Sequence, residues 1–235
     1  MKVRGQRECQ ACGHQWSYYE TGSVACPACE SLRSVGVDDR TLHTDAPATL
    51  DLSPYRAAWA DDTLADHVDD CKSDLREYLR QRGFVDGGDL RLLDDTVLAA
   101  SELLQVIDLF GRERDPTDAD ESYLLALLRG ADEGERPPPE TVSAAWSRAR
   151  GLGYANAVDD YRRDVIDWLE EHPDEEARKT LGTIRERVKR MQALQGDVSP
   201  AEVESLVHAT REVGEYLMDG EESSLASARE RLRDR

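Results

Sequence analysis

Lysine is nearly missing from this 235-residue chain: 4 Lys stand beside 26 Arg. Phenylalanine is scarcer still, at 2. No apolar run approaches the ~20 residues that a membrane-crossing helix needs. The opening residues, MKVRGQREC, hold no apolar stretch of the kind a secretory leader carries. A soluble, cytoplasmic protein with no membrane partner is therefore expected. Catalytic signatures are missing as well. There is no Gly-x-Gly-x-x-Gly, no P-loop, no Gly-x-Ser-x-Gly and no His-Glu-x-x-His. None of the 5 histidines follows a glutamate by three positions, which removes the Glu-x-x-His pairs of di-iron helix bundles. A non-enzymatic protein is expected.

Acid is abundant. Asp and Glu number 49 against 30 Lys and Arg, a net charge of -19, and Asp leads Glu by 27 to 22. A disordered acidic chain fits poorly, because apolar residues recur at helical spacing through most of the length. A nucleic-acid mimic is a second reading. The third is adaptation to molar salt, where the Debye length falls to about 3 Å and repulsion between surface carboxylates is screened. Arg-retaining, Lys-poor, Asp-rich composition spread along the whole chain favours this halophilic reading. The acidity then reflects the solvent rather than a partner.

The cysteines are concentrated. Four of the 5 lie between positions 9 and 29 as two Cys-x-x-Cys pairs with 13 residues between them. Each pair places two sulfurs on one side of a tight turn whose N–H groups face the thiolates. Cys9, Cys12, Cys26 and Cys29 are thus expected to hold one zinc ion in a closed tetrahedral site. A reducing compartment favours metal over disulfides at such pairs. Gly13 follows the first pair, but Glu30 stands where a second glycine is usual. Trp16 and Tyr18 are expected on one face of a strand, with Tyr19 on the other. About 40 residues rarely bury enough surface to fold alone. Structural zinc supplies on the order of 10–16 kcal/mol in finger peptides, so metal removal should unfold this segment. Iron is the competing ion, since four thiolates also suit one iron. The aromatic after the first pair and the Cys-Pro-x-Cys at the second resemble the rubredoxin-like module of rubrerythrins. That likeness carries the alternative of an electron-transfer protein.

The spacing predicts a mainly α fold. Residues 1–45 form a small β zinc ribbon, 46–54 a linker, and 55–235 a multi-helix bundle or array. Residues 1–45 carry a net charge of -1 and the remainder -18. Apolar stripes predict helices through Leu64–Leu79, Leu90–Phe110, Tyr123–Leu128, Val142–Ala149, Tyr154–Leu169, Leu181–Leu194 and Val203–Leu217, with a weaker one at Leu225–Leu232. The second should be central, because its apolar surface is wide. Ser53-Pro54 and Ser199-Pro200-Ala201-Glu202 read as helix starts, and His172-Pro173 as a stop. Residues 111–120 and 130–139 read as exposed, mobile loops. Cys71 falls on an apolar helix face and reads as a core side chain.

Lys2, Arg4, Arg7 and Arg33, with Trp16, Tyr18 and Tyr19, are the candidate partner-binding residues, through phosphate contact, stacking or anchoring. The opening 45 residues resemble haloarchaeal proteins that join a zinc ribbon of the transcription factor B type to an uncharacterised helical domain. That resemblance implies metal-ligand roles for Cys9, Cys12, Cys26 and Cys29 and a link to transcription, and Glu30 departs from its usual second-knuckle glycine. The expected function is a zinc-held recognition head for a protein, or for a nucleic acid, carried on a helical scaffold.

Overall fold

The computed structural model describes residues 1–61, 63–110 and 117–233. The fold is mainly α, and N-terminal strands precede the helices. In chain order the first elements are β1 (Lys2–Arg4), β2 (Gln6–Cys9), β3 (Gln15–Ser17), the one-turn helix α1 (Tyr18–Thr21), β4 (Ser34–Gly36) and β5 (Arg40–Leu42). They build two small antiparallel sheets, β3-β2-β4 and β1-β5. Helices α2 (Ser53–Ala60) and α3 (Val68–Gln81) follow, and then a hairpin of β6 (Val85–Asp86) and β7 (Asp89–Leu90). The rest is helical: α4 (Asp95–Phe110), α5 (Asp118–Gly130), α6 (Ala144–Trp168), α7 (Glu175–Ala193), α8 (Pro200–Asp219) and α9 (Glu222–Arg231).

α4 is central, packing on α3, α5 and α6. Val97 through Leu103 are all buried, Ser101 and Glu102 included, as in a helix covered on all sides. Leu90 and Leu93, expected at its start, lie outside it. Gly87-Gly88 form a two-residue turn with φ of 62° and 99°, which closes the hairpin, and Asp94 then caps α4 by accepting the Val97 N–H at 2.8 Å. The two helices expected over Val142–Ala149 and Tyr154–Leu169 are one continuous α6. Gly151 and Gly153 do not break it. A Cβ on Gly151 would lie 2.3 Å from the Gly196 carbonyl, and one on Gly153 would lie 2.6 Å from that of Ser101. Both glycines serve close approach of neighbouring backbone.

The segment 130–139 is tied down rather than free. Asp132 takes Arg56 and the Leu52 N–H, Arg136 reaches Asp95 and Glu204, and the Pro137 carbonyl accepts from Arg150 at 2.6 Å. Of the other expected loop, residues 111–116 lie outside the described residues, and Asp118–Asp120 open α5 behind a Thr117–Asp120 capping box. The expected linker also packs. Leu50 and Leu52 belong to the main core, because two leucines two apart let an extended segment press one face inward.

Ribbon and helices are joined through the hairpin. Thr44 and Asp45 both donate their N–H to the Val85 carbonyl, and Gly88 N–H bonds the Leu42 carbonyl at 2.8 Å. The Thr44 hydroxyl bridges to Asp164 of α6 at 2.6 Å, and Asp45 receives Arg82. The Tyr19 ring is seated between Gly5 and Gly87, where added Cβ atoms would come within 2.1 Å and 2.9 Å of it. Its hydroxyl meets Thr41 at 2.5 Å, and its ring tilts on His43 at 4.5 Å. His43 is buried, which holds its imidazole below the ordinary value against the pull of Asp86 and Asp45.

Candidate metal centre

The four cysteines converge. The sulfurs of Cys9, Cys12, Cys26 and Cys29 all lie within 4.8 Å of one another, with Cys9–Cys29 at 3.6 Å and Cys12–Cys26 at 3.7 Å. Two knuckles of the same hydrogen-bond pattern produce this. Cys9 N–H bonds the His14 carbonyl and Gly13 N–H the Cys9 carbonyl, while Cys26 N–H bonds the Ser31 carbonyl and Glu30 N–H the Cys26 carbonyl. β2 carries the first knuckle and delivers Cys9, and β4 leaves the second. Cys9 and Cys26 face inward against Trp16, whereas Cys12 and Cys29 are exposed.

The donor set fits a metal ion. N–H groups of the first knuckle, that of Cys12 first, draw the Cys9 thiol down to about 6. The Ser31 N–H favours the Cys29 thiolate too, but the crowding sulfurs, Cys12 first, push its thiol up to about 12. Four thiolates this close need a cation among them, and a divalent ion bound by four sulfurs is the natural counter-charge. Among the described residues no other group of His, Cys, Asp or Glu converges in this way. Cys71 is a core side chain on α3, and burial pushes its thiol up to about 12.

Glu30 adopts the conformation that glycine would take, with φ of 59° against 75° at Gly13. Left-handed backbone costs an L-residue about 1–2 kcal/mol, and glycine's own backbone freedom offsets roughly 0.5–1 kcal/mol of that. Glu30→Gly should therefore hold the metal about 2–5-fold more tightly in competition with a chelator. Gly13→Ala should shift the same titration the other way.

The candidate partner-binding residues divide into three groups. Lys2, Arg4 and Arg7 line one cleft of about 360 Å³, with Tyr18 on its wall, and Arg40 joins them although the sequence pattern did not single it out. β1-β5 pairing sets Arg40 opposite Arg4, a juxtaposition that only the register shows. Trp16 is withdrawn: its ring is buried as the centre of the ribbon's small core, and its Nε1 donates to the Ser23 carbonyl at 3.0 Å. Tyr18 and Tyr19 are not strand residues. Ser17 caps α1 by accepting the Glu20 N–H, which turns Tyr19 into the junction. The Ser-x-x-Glu pattern of Ser17–Glu20 was the available signal. Arg33 is exposed outside the cleft. His14 is exposed and stacks on Trp16 with centroids 6.3 Å apart.

A family model described as "Family of unknown function (DUF7117)" matches residues 1–232. The chain belongs to this family. The match spans the ribbon and the helical body together. No curated protein and no solved structure matches the chain. Among the described residues no helix is long and apolar enough to cross a membrane.

Proposed function

We propose that the ribbon is a zinc-held recognition head, rigidly mounted on the helical body, and that it acts by binding a macromolecular partner in gene expression rather than by catalysis. One observation carries this reading. The ribbon exposes Met1, Val24, Leu32, Val35 and Val37, while the much longer helical part exposes Leu109, Leu194 and Met218 among the described residues. A small unit that spends its few apolar side chains on solvent is poorly explained as a core and well explained as a binding surface. β4 adds an open sheet edge beside them, since the sheet order is β3-β2-β4. Four sulfur ligands close a tetrahedral site and leave no position for substrate, which supports a structural role for the ion.

The helical body is the scaffold in this reading. Two of its adjacent carboxylate pairs are engaged with arginines: Asp94 and Asp95 face Arg82, Arg136 and Arg211, and Asp159 and Asp160 face Arg162 and Arg163. The test is affinity capture at native salt with wild type and with Cys9→Ser/Cys12→Ser, each with and without nuclease. RNA polymerase or ribosomal components should be captured by wild type and lost with the variant. Equal capture of those components by both chains would contradict a recognition role for the ribbon.

A further inference from the structure

Arg4, Arg7 and Arg40 gather in one cleft without a carboxylate partner among the described residues, whereas many arginines of the helical body are ion-paired. Arg56, Arg82, Arg136, Arg150, Arg163 and Arg211 each face a carboxylate. The three ribbon arginines have no carboxylate partner among the described residues, and they share one cleft with Lys2 that no acidic side chain lines. Two are held in place by neutral groups. Arg4 donates through Nη1 to the Gly36 carbonyl at 2.9 Å, and Arg7 donates through Nε and Nη2 to the Ser34 hydroxyl at 3.1 Å and 2.9 Å. Arg40 is exposed, and its side chain has no hydrogen-bond or ion-pair partner among the described residues. Lys2 pairs with Glu171, beyond the end of α6. The cleft is therefore a pre-positioned cationic groove in a protein whose remainder, residues 46–235, carries a net charge of -18.

We propose that this cleft binds single-stranded nucleic acid, with backbone phosphates on Arg4, Arg7 and Arg40 and a base against Tyr18 and Val24. The inference rests on the reading of the ribbon as a recognition head and assigns its partner class. A positively charged groove with an aromatic ring on its wall is the arrangement by which single strands are held without sequence preference. A carboxylate-bearing peptide fits less well. Tyr18 and Val24 offer an apolar wall that a base uses and an aspartate does not.

The test is fluorescence anisotropy of the full metal-bound chain with a labelled oligouridylate, over about a tenfold range of salt in which the protein stays folded. Arg40→Ala removes no contact within the protein. It should weaken binding about 3–10-fold and flatten the slope of log K against log salt by about 0.7. Tyr18→Ala should weaken binding by about tenfold with little change in that slope. Retained metal content and unchanged circular dichroism in both variants show that folding is intact. An oligoglutamate of similar length should not compete. The proposal is overturned if wild type fails to bind at the lowest usable salt, if both variants bind like wild type, or if oligoglutamate displaces the strand. That last outcome would reassign the cleft to an acidic protein segment. Ribbon-dependent, nuclease-resistant capture of a partner without oligouridylate binding would leave the recognition head standing and reject this inference alone.

Discussion

Chelating the metal is expected to melt residues 6–36 while the helical body stays folded. The reason is the size of the two cores. The ribbon's separate buried cluster is Cys9, Trp16 and Cys26, and two of those three belong to the four-cysteine cluster that could hold a metal. Burying one tryptophan is worth about 3–5 kcal/mol, whereas a structural four-coordinate site supplies on the order of 10–16 kcal/mol. Without the ion, the thiols also crowd one another. The main core runs instead from Leu42 through Leu232 and owes nothing to the site. β1 and β5 should survive, because they are held by the hairpin and by Lys2–Glu171. Hydrogen exchange read by mass spectrometry should show Gln6–Gly36 losing protection on chelation, with α4, α6 and α8 unchanged. Far-UV circular dichroism should fall only slightly. Loss of protection in both regions together would mean that the ribbon is part of one cooperative unit, and no change would mean that the metal holds nothing.

Breaking the ion pair at the centre of the helical body is expected to have the second large effect. Glu102 on α4 and Arg150 on α6 are both fully buried, with Arg150 Nε donating to Glu102 at 2.9 Å. The hydroxyls of Tyr154, at 2.9 Å, and of Tyr123 also donate to Glu102. Arg136 extends the network by donating to the Tyr154 hydroxyl at 2.8 Å. Glu102→Ala leaves the buried Arg150 guanidinium with only Glu204, at 3.5 Å, as a carboxylate partner among the described residues, so it should cost about 3 kcal/mol. Glu102→Met/Arg150→Met removes both charges and should cost less than the single change. Urea midpoints at low and high salt measure this, and the loss should persist in salt because no solvent reaches the pair. Arg148→Ala supplies the contrast: its pair with Asp197 is 62% and 60% exposed and should be worth under about 1 kcal/mol. A cost for Glu102→Ala as small as that of Arg148→Ala would show the network to be marginal.

The four-cysteine cluster was legible because the information is local. Two Cys-x-x-Cys pairs specify two knuckles without reference to the rest of the chain, and Ser199 announces α8 in the same way. Most helices were legible from their 3.6-residue stripes. α6 reads as two apolar stripes with Gly151 and Gly153 in the gap between them, and the purpose of those glycines is contact with Gly196 and Ser101, far away in sequence. The hairpin at Val85–Leu90 was missed although Asp86-Gly87-Gly88-Asp89 carries its turn signal. The segment 130–139 looked solvated because it is charged and proline-rich. Its arginine finds Asp95 and Glu204 only once α4 and α8 are in place. The cleft was half visible: Lys2, Arg4 and Arg7 are neighbours in sequence, but Arg40 reaches them through strand pairing.

The most direct measurement on the central claim is the metal content and absorption spectrum of the purified chain, wild type beside Cys9→Ser/Cys12→Ser. One zinc ion per wild-type chain, a colourless protein, and loss of the ion in the variant are expected. Stoichiometric iron with a visible thiolate-to-iron absorption band, or metal retained after both cysteines of the first knuckle are removed, would contradict that claim.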